Sequence, residues 1–303
     1  MQQKKILCLH WLAACLALLV SQKLPGEENS QVKLKFVIYG DTRTNDTAHR
    51  RVIAAAVKQQ PAFIVQTGDL VADSSDRTQW AAFDNAIQPI RDGHIAYYPA
   101  KGNHDVASSA FLKEILDPVQ PGYDGKNYYR FDVRGLCFLA LDTESLHNGA
   151  KDKKARRQYQ WLEMQLKQAS ADKLFVIPFF HRALYSVGRH RNENKALRER
   201  LHPLFQQYGV RLVFQGHDHL YYRTMRDGIT YVVTGGGGAP LYDIEQELQP
   251  DERARKAHHL CAAELSASDI HITVYEVEGD PKKKDPVEPI DDFRISLVAD
   301  PQR

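Results

Sequence analysis

Side chains that can bind metal ions or move protons follow five apolar, strand-like runs of this 303-residue sequence. In chain order they are Asp41, Asp69, Asn103 with His104 and Asp105, His181, and the pair His217 and His219. In open α/β sheets ligands bind outside the carboxyl ends of the strands, so we expect these residues to converge although Asp41 and His219 are 178 positions apart. Carboxylates, an amide and imidazoles in this number suit a pair of divalent or trivalent ions. Each motif alone would indicate a turn or a surface histidine, but five in order predict a metal centre.

The elements that must position these residues alternate between strands and amphipathic helices. Strands are predicted at residues 35–39, 62–66, 95–99, 127–133, 136–141, 174–179, 211–215, 229–233, within 260–277, and at 293–298. Helices are predicted at residues 48–59, 77–90 and 195–208 and around the helical spacing of Tyr159, Leu162, Leu166 and Ala169. No repeat or long linker interrupts this order, so we expect one α/β domain over residues 33–300.

The composition is that of an ordinary globular protein, with 43% hydrophobic and 26% charged residues. It excludes disordered, collagen-like and multi-span membrane classes. The 40 basic and 38 acidic side chains give a formal charge of +2, so we expect no nucleic-acid partner. Nothing in the composition indicates an oligomeric state.

The first 21 residues have the pattern of a secretory signal peptide, since Lys4 and Lys5 precede an apolar run over residues 6–20. That run is shorter than the roughly 20 apolar residues of a spanning helix, which makes a retained anchor the weaker alternative. Leu12 to Cys15 also form a lipobox-like motif, which would place a lipid on Cys15, whereas ordinary cleavage falls near Ser21. Both readings predict an exported protein, periplasmic or secreted, attached to a membrane only if Cys15 is lipidated.

Two cysteines, Cys137 and Cys261, lie beyond this segment. Cys137 stands in the apolar run 136–141, so we expect buried free thiols rather than a disulfide. No Cys-x-x-Cys pair indicates structural zinc.

The five motifs together resemble the calcineurin-like metallophosphoesterase superfamily, and they span almost all of the chain that follows the signal segment. Trp161-Leu162 and the segment TGGGGAPLY at residues 234–242 are similar to the purple acid phosphatase branch. The resemblance implies an α/β fold built as a four-layer α/β/β/α sandwich of two mixed β-sheets. We interpret the glycine-rich segment as a loop of close approach beside the metal site, because it lacks the Gly-Lys-Ser/Thr of a nucleotide-binding loop.

The resemblance also implies how the ligands are divided between two metal ions. Asp41, Asp69 and His219 would hold the first ion, and Asp69 as the bridge, Asn103, His181 and His217 would hold the second. Two cations about 3.5 to 4 Å apart lower the pKa of a bridging water, and the resulting hydroxide attacks a phosphate ester. Oxygen and nitrogen ligands are compatible with Mn, Fe or Zn.

His104 is the candidate proton donor or transition-state contact, with Asp105 orienting it. The alternative is that His104 only forms a hydrogen bond to a metal ligand and takes no part in proton transfer. Together with Asn103 and Arg43, His104 is expected to bind the substrate phosphate.

Two positions depart from the superfamily pattern. Arg43 stands where a histidine ligand is common, and a guanidinium cannot coordinate a metal, so we predict weaker binding of the first ion. Arg43 would be a fixed positive charge beside the substrate phosphate or a partner of Asp73 or another acid. Ala72 replaces the tyrosine that colours purple acid phosphatases and the aspartate that pairs with the catalytic histidine in protein phosphatases.

Two functions from different classes are compatible with these residues. The first is an exported, metal-dependent phosphoesterase that acts on a small phosphorylated substrate, on monoesters rather than diesters. The second is a degenerate metallophosphoesterase fold that binds a phosphorylated ligand or a partner without turnover. Specificity is expected to lie in the loops at residues 145–157, 184–194 and 243–256.

Overall fold

The computed structural model describes residues 34–105, 127–149, 152–277 and 288–298. The predicted signal segment, including Cys15, lies outside these residues. Among the helices in the described ranges, none has the length and apolar character needed to cross a membrane.

Within the described residues, six strands form a first mixed sheet in the order β13-β12-β11-β1-β2-β3. Their bounds are β1 Leu34–Tyr39, β2 Phe63–Gln66, β3 Ala96–Pro99, β11 His259–Leu265, β12 Asp269–Glu276 and β13 Glu288–Ser296. The first three strands are parallel, so their carboxyl ends lie along one edge of the sheet. That edge carries the loops of Asp41, Asp69 and Asn103.

Seven further strands of the described ranges form a second mixed sheet in the order β10-β8-β9-β7-β6-β5-β4. Their bounds are β4 Tyr129–Val133, β5 Leu136–Leu141, β6 Phe175–Arg182, β7 Leu212–Gly216, β8 Tyr221–Arg226, β9 Ile229–Thr234 and β10 Arg253–Arg255. Strands β5, β6, β7 and β9 run parallel. The end of β6 and the loop after β7 carry the three predicted histidine ligands.

Helices cover the outer face of each sheet. Before the second sheet the chain forms α1 Asp46–Lys58, α2 Arg77–Ala86 and α3 Gln88–Asp92, and later it forms α4 Thr143–His147, α5 Lys153–Ala171 and α6 Lys195–Gln207. Successive side chains of β1 point to opposite faces of the sheet, so the strand contacts two layers. Val37 and Tyr39 pack in the cluster with α1 and α2. Phe36 and Ile38 point the other way, into a core shared by both sheets.

Aromatic rings dominate the core between the sheets. Phe36 stacks on Phe63 with ring centroids 5.1 Å apart, and Phe138 of the second sheet meets Phe36 edge to face at 5.4 Å. A third cluster joins Leu139 and Val213 to the helices α5 and α6. The layers are therefore helices, sheet, sheet and helices, which confirms the predicted α/β/β/α sandwich.

The structure corrects the predicted elements in a few places. The single helix predicted over 77–90 is two helices, because Pro89 lies in the first turn of α3 and has no N–H to continue α2. Strands β8 and β10 and the short helix α4 were not predicted. The hairpin joined at Arg134-Gly135 is confirmed, and Cys137 and Cys261 are buried free thiols as expected.

Candidate metal centre

Three of the predicted ligands have a backbone conformation that is uncommon for residues with a side chain. Asp41, Asp69 and His217 have φ values of 58°, 57° and 73°. Left-handed conformations outside glycine cost free energy and concentrate at functional sites. Each of these residues follows a glycine directly after a strand, so the chain turns sharply and aims the ligand back over the sheet edge.

Glycines let the backbone approach these carboxylates. A Cβ at Gly216 would lie 2.6 Å from Oδ2 of Asp41, and one at Gly102 would collide with the carboxylate of Asp69. Gly102 is therefore needed where the Asp69 and Asn103 loops of the first sheet meet, and Gly216 is needed where a loop of the second sheet meets Asp41 of the first.

We define the first pocket as the site between Asp41, Asp69 and His219, which are all buried. These residues place one ligand atom each within 4.8 Å of one another. Nε2 of His219 lies 3.5 Å from Oδ1 of Asp41. Two ligands about 2.1 Å from one ion at a tetrahedral angle lie about 3.4 Å apart, so this pair has the spacing of ligands to a shared ion.

We define the second pocket as the site between Asp69, Asn103, His181 and His217. Nε2 of His181 is at its centre, 2.9 Å from Oδ1 of Asn103, 3.0 Å from Nδ1 of His217 and 3.4 Å from Oδ1 of Asp69. Atoms about 2.1 Å from one ion at right angles would be about 3.0 Å apart, so this donor set fits a metal ion. The sheets contribute equally, since Asp69 and Asn103 come from the first and the two histidines from the second.

The outward nitrogen of each histidine has a partner that fixes the ring. Nδ1 of His181 lies 3.1 Å from the carbonyl oxygen of Thr67, and Nδ1 of His219 lies 2.7 Å from that of Pro240. Nε2 of His217 lies 3.4 Å from a carboxylate oxygen of Glu193. Metal-binding histidines ordinarily donate their second N–H in this way, which leaves a lone pair directed into the pocket.

The electrostatics of the ligand set favour cations. Burial, and next the charge of Asp69, raises the pKa of Asp41 well above its usual value. Burial lowers the pKa of His219 to about 3 and also lowers the pKa of His181 and His217. The histidines are therefore neutral at ordinary pH, which is the form that binds metals.

His104 lies at the edge of the second pocket with its side chain about one third exposed, at 32%. Its Nδ1 is 2.7 Å from the carbonyl oxygen of Ala72, and its Nε2 is 3.9 Å from Oδ2 of Asp69. The ring is thus oriented by a backbone carbonyl, and Nε2 faces the ligands. The sequence had suggested that Asp105 orients this ring, but the carboxylate of Asp105 is engaged elsewhere.

Asp105 is buried and binds backbone amides of two loops. Its oxygens accept hydrogen bonds from the N–H groups of Asp69 at 2.9 Å, Leu70 at 3.0 Å and Gly102 at 2.9 Å. It therefore positions the Asp69 loop against the Asn103 loop. Burial and the charge of Asp69 raise the pKa of Asp105 to about 7.

Arg43 contacts two ligands of the first pocket. Its Nε lies 3.3 Å from Oδ2 of Asp69, and one terminal nitrogen lies 3.4 Å from Nε2 of His219. The acid that Arg43 contacts is therefore Asp69, while Asp73 accepts hydrogen bonds from Ser75.

Sequence reasoning missed four residues around the pockets. Tyr242 stacks on His219 with centroids 4.0 Å apart, and the ring of His190 lies 4.1 Å from that of His217. Glu193 accepts from both His190 and His217, and these three also form a group able to hold a metal ion. His190 and Glu193 lie in the loop 184–194 and Pro240 and Tyr242 in the glycine-rich segment, so their loops were singled out but their side chains were not.

The glycine-rich segment passes close to the metal centre, as expected. The N–H of Gly237 donates to the backbone carbonyl oxygen of Gly40 at 2.7 Å, and that of Ala239 donates to the backbone carbonyl oxygen of Asp41 at 2.8 Å. The buried carboxylate of Asp218 accepts from the N–H of His190 at 2.9 Å, so Asp218 holds the loop that carries His190.

The two stacked mixed sheets therefore bring carboxylates from the edge of one sheet and histidines from the edge of the other into one candidate metal centre. The family model described as Calcineurin-like phosphoesterase matches residues 34–221, which is more than half of the chain. The chain therefore belongs to the calcineurin-like phosphoesterase family.

Relatives of known activity are distant. The chain is 26% identical over 289 residues to human tartrate-resistant acid phosphatase type 5, covering 81% of this chain and 88% of that protein. It is 27% identical over 193 residues to the rat serine/threonine-protein phosphatase CPPED1, covering 60% and 61%. It spans 42% of the Arabidopsis thaliana purple acid phosphatase 18, with 56% of this chain matched at 26% identity.

Solved structures share the fold. The purple acid phosphatase PPD1 from yellow lupin seeds superposes with a TM-score of 0.64 at 20% identity, covering 87% of this chain and 54% of that one. GAP50 of Plasmodium, described as the anchor in the inner membrane complex, superposes with a TM-score of 0.69 at 18% identity, covering 89% and 90%.

Proposed function

We propose that this protein is a metal-dependent hydrolase of phosphate esters. The observation that carries the proposal is the second pocket, where an amide oxygen, a carboxylate oxygen and a second imidazole lie 2.9 to 3.4 Å from the central nitrogen of His181. A metal ion in such a site supplies Lewis acidity and lowers the pKa of bound water to near neutrality.

The side chains around the pockets have the roles that ester hydrolysis needs. Arg43 presents a planar cation beside Asp69, suited to the oxygens of a phosphoryl group. His104 holds a proton on Nδ1 against the Ala72 carbonyl, so its Nε2 is the atom that exchanges a proton with the leaving oxygen. Asn103 is half-buried, and its amide oxygen, 2.9 Å from Nε2 of His181, would be a metal ligand beside the bound phosphate.

Monoesters are the proposed substrates. The names of the relatives support this choice, since one is an acid phosphatase and another a serine/threonine-protein phosphatase. The cationic Arg43 also favours the doubly charged group of a monoester over the single charge of a diester.

The test is turnover of p-nitrophenyl phosphate and bis(p-nitrophenyl) phosphate by the full chain with added Mn, Fe or Zn. We expect monoester hydrolysis that disappears on chelation and in Asn103→Ala. Asn85→Ala, at an exposed position of α2, is the matched control and should retain activity. Absence of turnover of both esters with every metal would contradict the proposal.

A second candidate is a binding module that holds a phosphorylated ligand or a partner without turnover. Two observations favour it: Arg43 stands in the first pocket, and the fold is shared with GAP50, which is described as an anchor. Protection of the protein by inorganic phosphate against heating, without hydrolysis of any ester, would support this candidate.

Export is the proposed location, supported by the apolar segment after Lys4 and Lys5. Fractionation of cells that express the full chain tests it, with N-terminal sequencing of the product. Cleavage near Ser21 supports a soluble exported protein, a lipid on Cys15 supports an anchored one, and an uncleaved cytosolic chain contradicts export.

A further inference from the structure

We propose that the guanidinium of Arg43 takes the place of the first metal ion, so that the working protein holds one ion, in the second pocket. The consequence of this inference for catalysis rests on the proposed function, but the inference itself concerns only the number of metal ions that the protein binds. It replaces the two ions that the sequence motifs suggest.

The position of Arg43 carries the first step. Its nitrogens lie 3.3 Å from Oδ2 of Asp69 and 3.4 Å from Nε2 of His219. These are two of the three inward atoms of the first pocket. A nitrogen lone pair of His219 that accepts from the guanidinium cannot at the same time bind a metal. An ion can therefore enter only after Arg43 leaves.

The second argument is the charge of the buried carboxylates in the first pocket. Asp41 and Asp69 are almost completely buried, with exposed fractions of 0% and 1%. Buried carboxylates need a compensating cation, and Arg43 supplies one that is always protonated. A divalent ion added to the same group would be repelled by the guanidinium at short range.

The second pocket uses the other oxygen of Asp69, because Arg43 contacts Oδ2 whereas Oδ1 lies 3.4 Å from Nε2 of His181. Its inward atoms are spaced for a shared ion around Nε2 of His181, and its outer nitrogens are held by Thr67 and Glu193. The pocket is thus prepared for a cation and is expected to bind one with higher affinity than the first.

The arrangement changes how the charge of a phosphoryl group would be neutralised. One side of the group would meet the ion of the second pocket, and the other side would meet the planar fork of Arg43. A guanidinium can donate two parallel hydrogen bonds to phosphate oxygens, which a second ion cannot do.

The test is the metal content of the full chain after equilibration with Mn²⁺, together with electron paramagnetic resonance of the bound Mn²⁺. We expect about one ion per chain and the spectrum of an isolated ion, because only the second pocket is available. Arg43→His should bind about two ions and show a spin-coupled pair, because an imidazole completes the first pocket.

Three variants control this result. Arg189→Gln removes an exposed arginine whose guanidinium carbon lies 5.6 Å from the Tyr242 ring, and it should keep one ion. Asp41→Asn removes a charge from the first pocket and keeps an amide oxygen that can accept from the N–H of His217, so it should also keep one ion, whereas Asn103→Ala should lose it. Circular dichroism establishes that each variant is folded, and Asp41→Asn still tests the inference if Arg43→His does not fold.

Two ions of similar affinity in the wild-type protein, or loss of the single ion in Asp41→Asn, would overturn the inference. A protein with one ion that hydrolyses no ester would contradict the proposed function and leave the inference standing. A protein with two ions that hydrolyses monoesters would contradict the inference and leave the proposed function standing.

Discussion

Nδ1 of His104 lies 2.7 Å from the backbone carbonyl oxygen of Ala72. The residue at position 72 therefore orients the candidate proton donor although its side chain is a methyl group. A backbone carbonyl fixes the tautomer of the ring in the same way as a carboxylate.

Replacement of His104 tests its role as a proton donor. We expect His104→Gln to lower kcat for p-nitrophenyl phosphate by about 100-fold or more, because general acid catalysis is lost, while metal content stays unchanged. Ala72→Ser keeps the carbonyl and should retain nearly full kcat. A kcat of His104→Gln close to that of the wild type would contradict the role of His104 as proton donor.

Asp105 is predicted to stabilise the fold of the site rather than to take part in proton transfer. In Asp105→Ala the buried N–H groups of Asp69, Leu70 and Gly102 lose their acceptor, and the free energy of unfolding should fall by about 3 kcal/mol or more. Urea denaturation measures this change. Asp92→Ala, at the exposed end of α3, is the control, and an equal effect there would argue against the role of Asp105.

Glu193 is predicted to tune the affinity of the second pocket. Its carboxylate lies 3.4 Å from Nε2 of His217, on the side away from the metal ligands. Glu193→Gln should weaken metal binding about 10- to 100-fold, as for other acceptors behind metal-binding histidines. The measurement is a metal titration, with the exposed Glu199→Gln on α6 as the control. Unchanged affinity in Glu193→Gln would show that His217 needs no anionic partner.

His49 is predicted to make the protein less stable in acid. Burial, and next the charge of Arg50, lowers the pKa of His49 from 6.5 to about 3. The unfolded chain therefore binds a proton below pH 6.5 that the folded chain excludes, so the stability present above that pH is lost as pH falls towards 3. At about pH 5 the cost is about 2 kcal/mol.

Urea denaturation at about pH 7 and pH 5 measures this cost in the presence of a chelator. His49→Phe keeps the ring that stacks on Phe83 at 5.6 Å, and it should lose about 2 kcal/mol less than the wild type between these pH values. His147→Gln, at an exposed position, should behave as the wild type. The same pH dependence in all three proteins would refute the prediction.

Much of the fold could be predicted because its signals are local. The strand ends at Tyr39 and Gln66 are marked by a glycine and an aspartate that follow within a few residues, and Arg134-Gly135 marks a two-residue hairpin. The hairpin of β8 and β9 carries the same kind of signal at Asp227-Gly228, with φ values of 50° and 80°, but β8 was overlooked. Strand β8 follows the histidine motif directly and lacks the apolar run that marks the other strands.

The ligand residues could be placed from their motifs, but their environment could not. No sequence spacing indicates that Asp105 turns towards amides, because that choice depends on how two loops from different strands meet. The contact of Arg43 with His219 likewise joins positions 176 residues apart in sequence. Such relationships arise from the packing of the two sheets.

The division of the ligands between the sheets has a mechanical consequence. Asp69 and Asn103 belong to the first sheet and His181 and His217 to the second, while the faces between them are held by aromatic packing. An ion bound by all four would cross-link the two sheets and stabilise the folded state. Its release would lower the free energy of unfolding, so the stability of the protein would depend on the metal concentration of its surroundings.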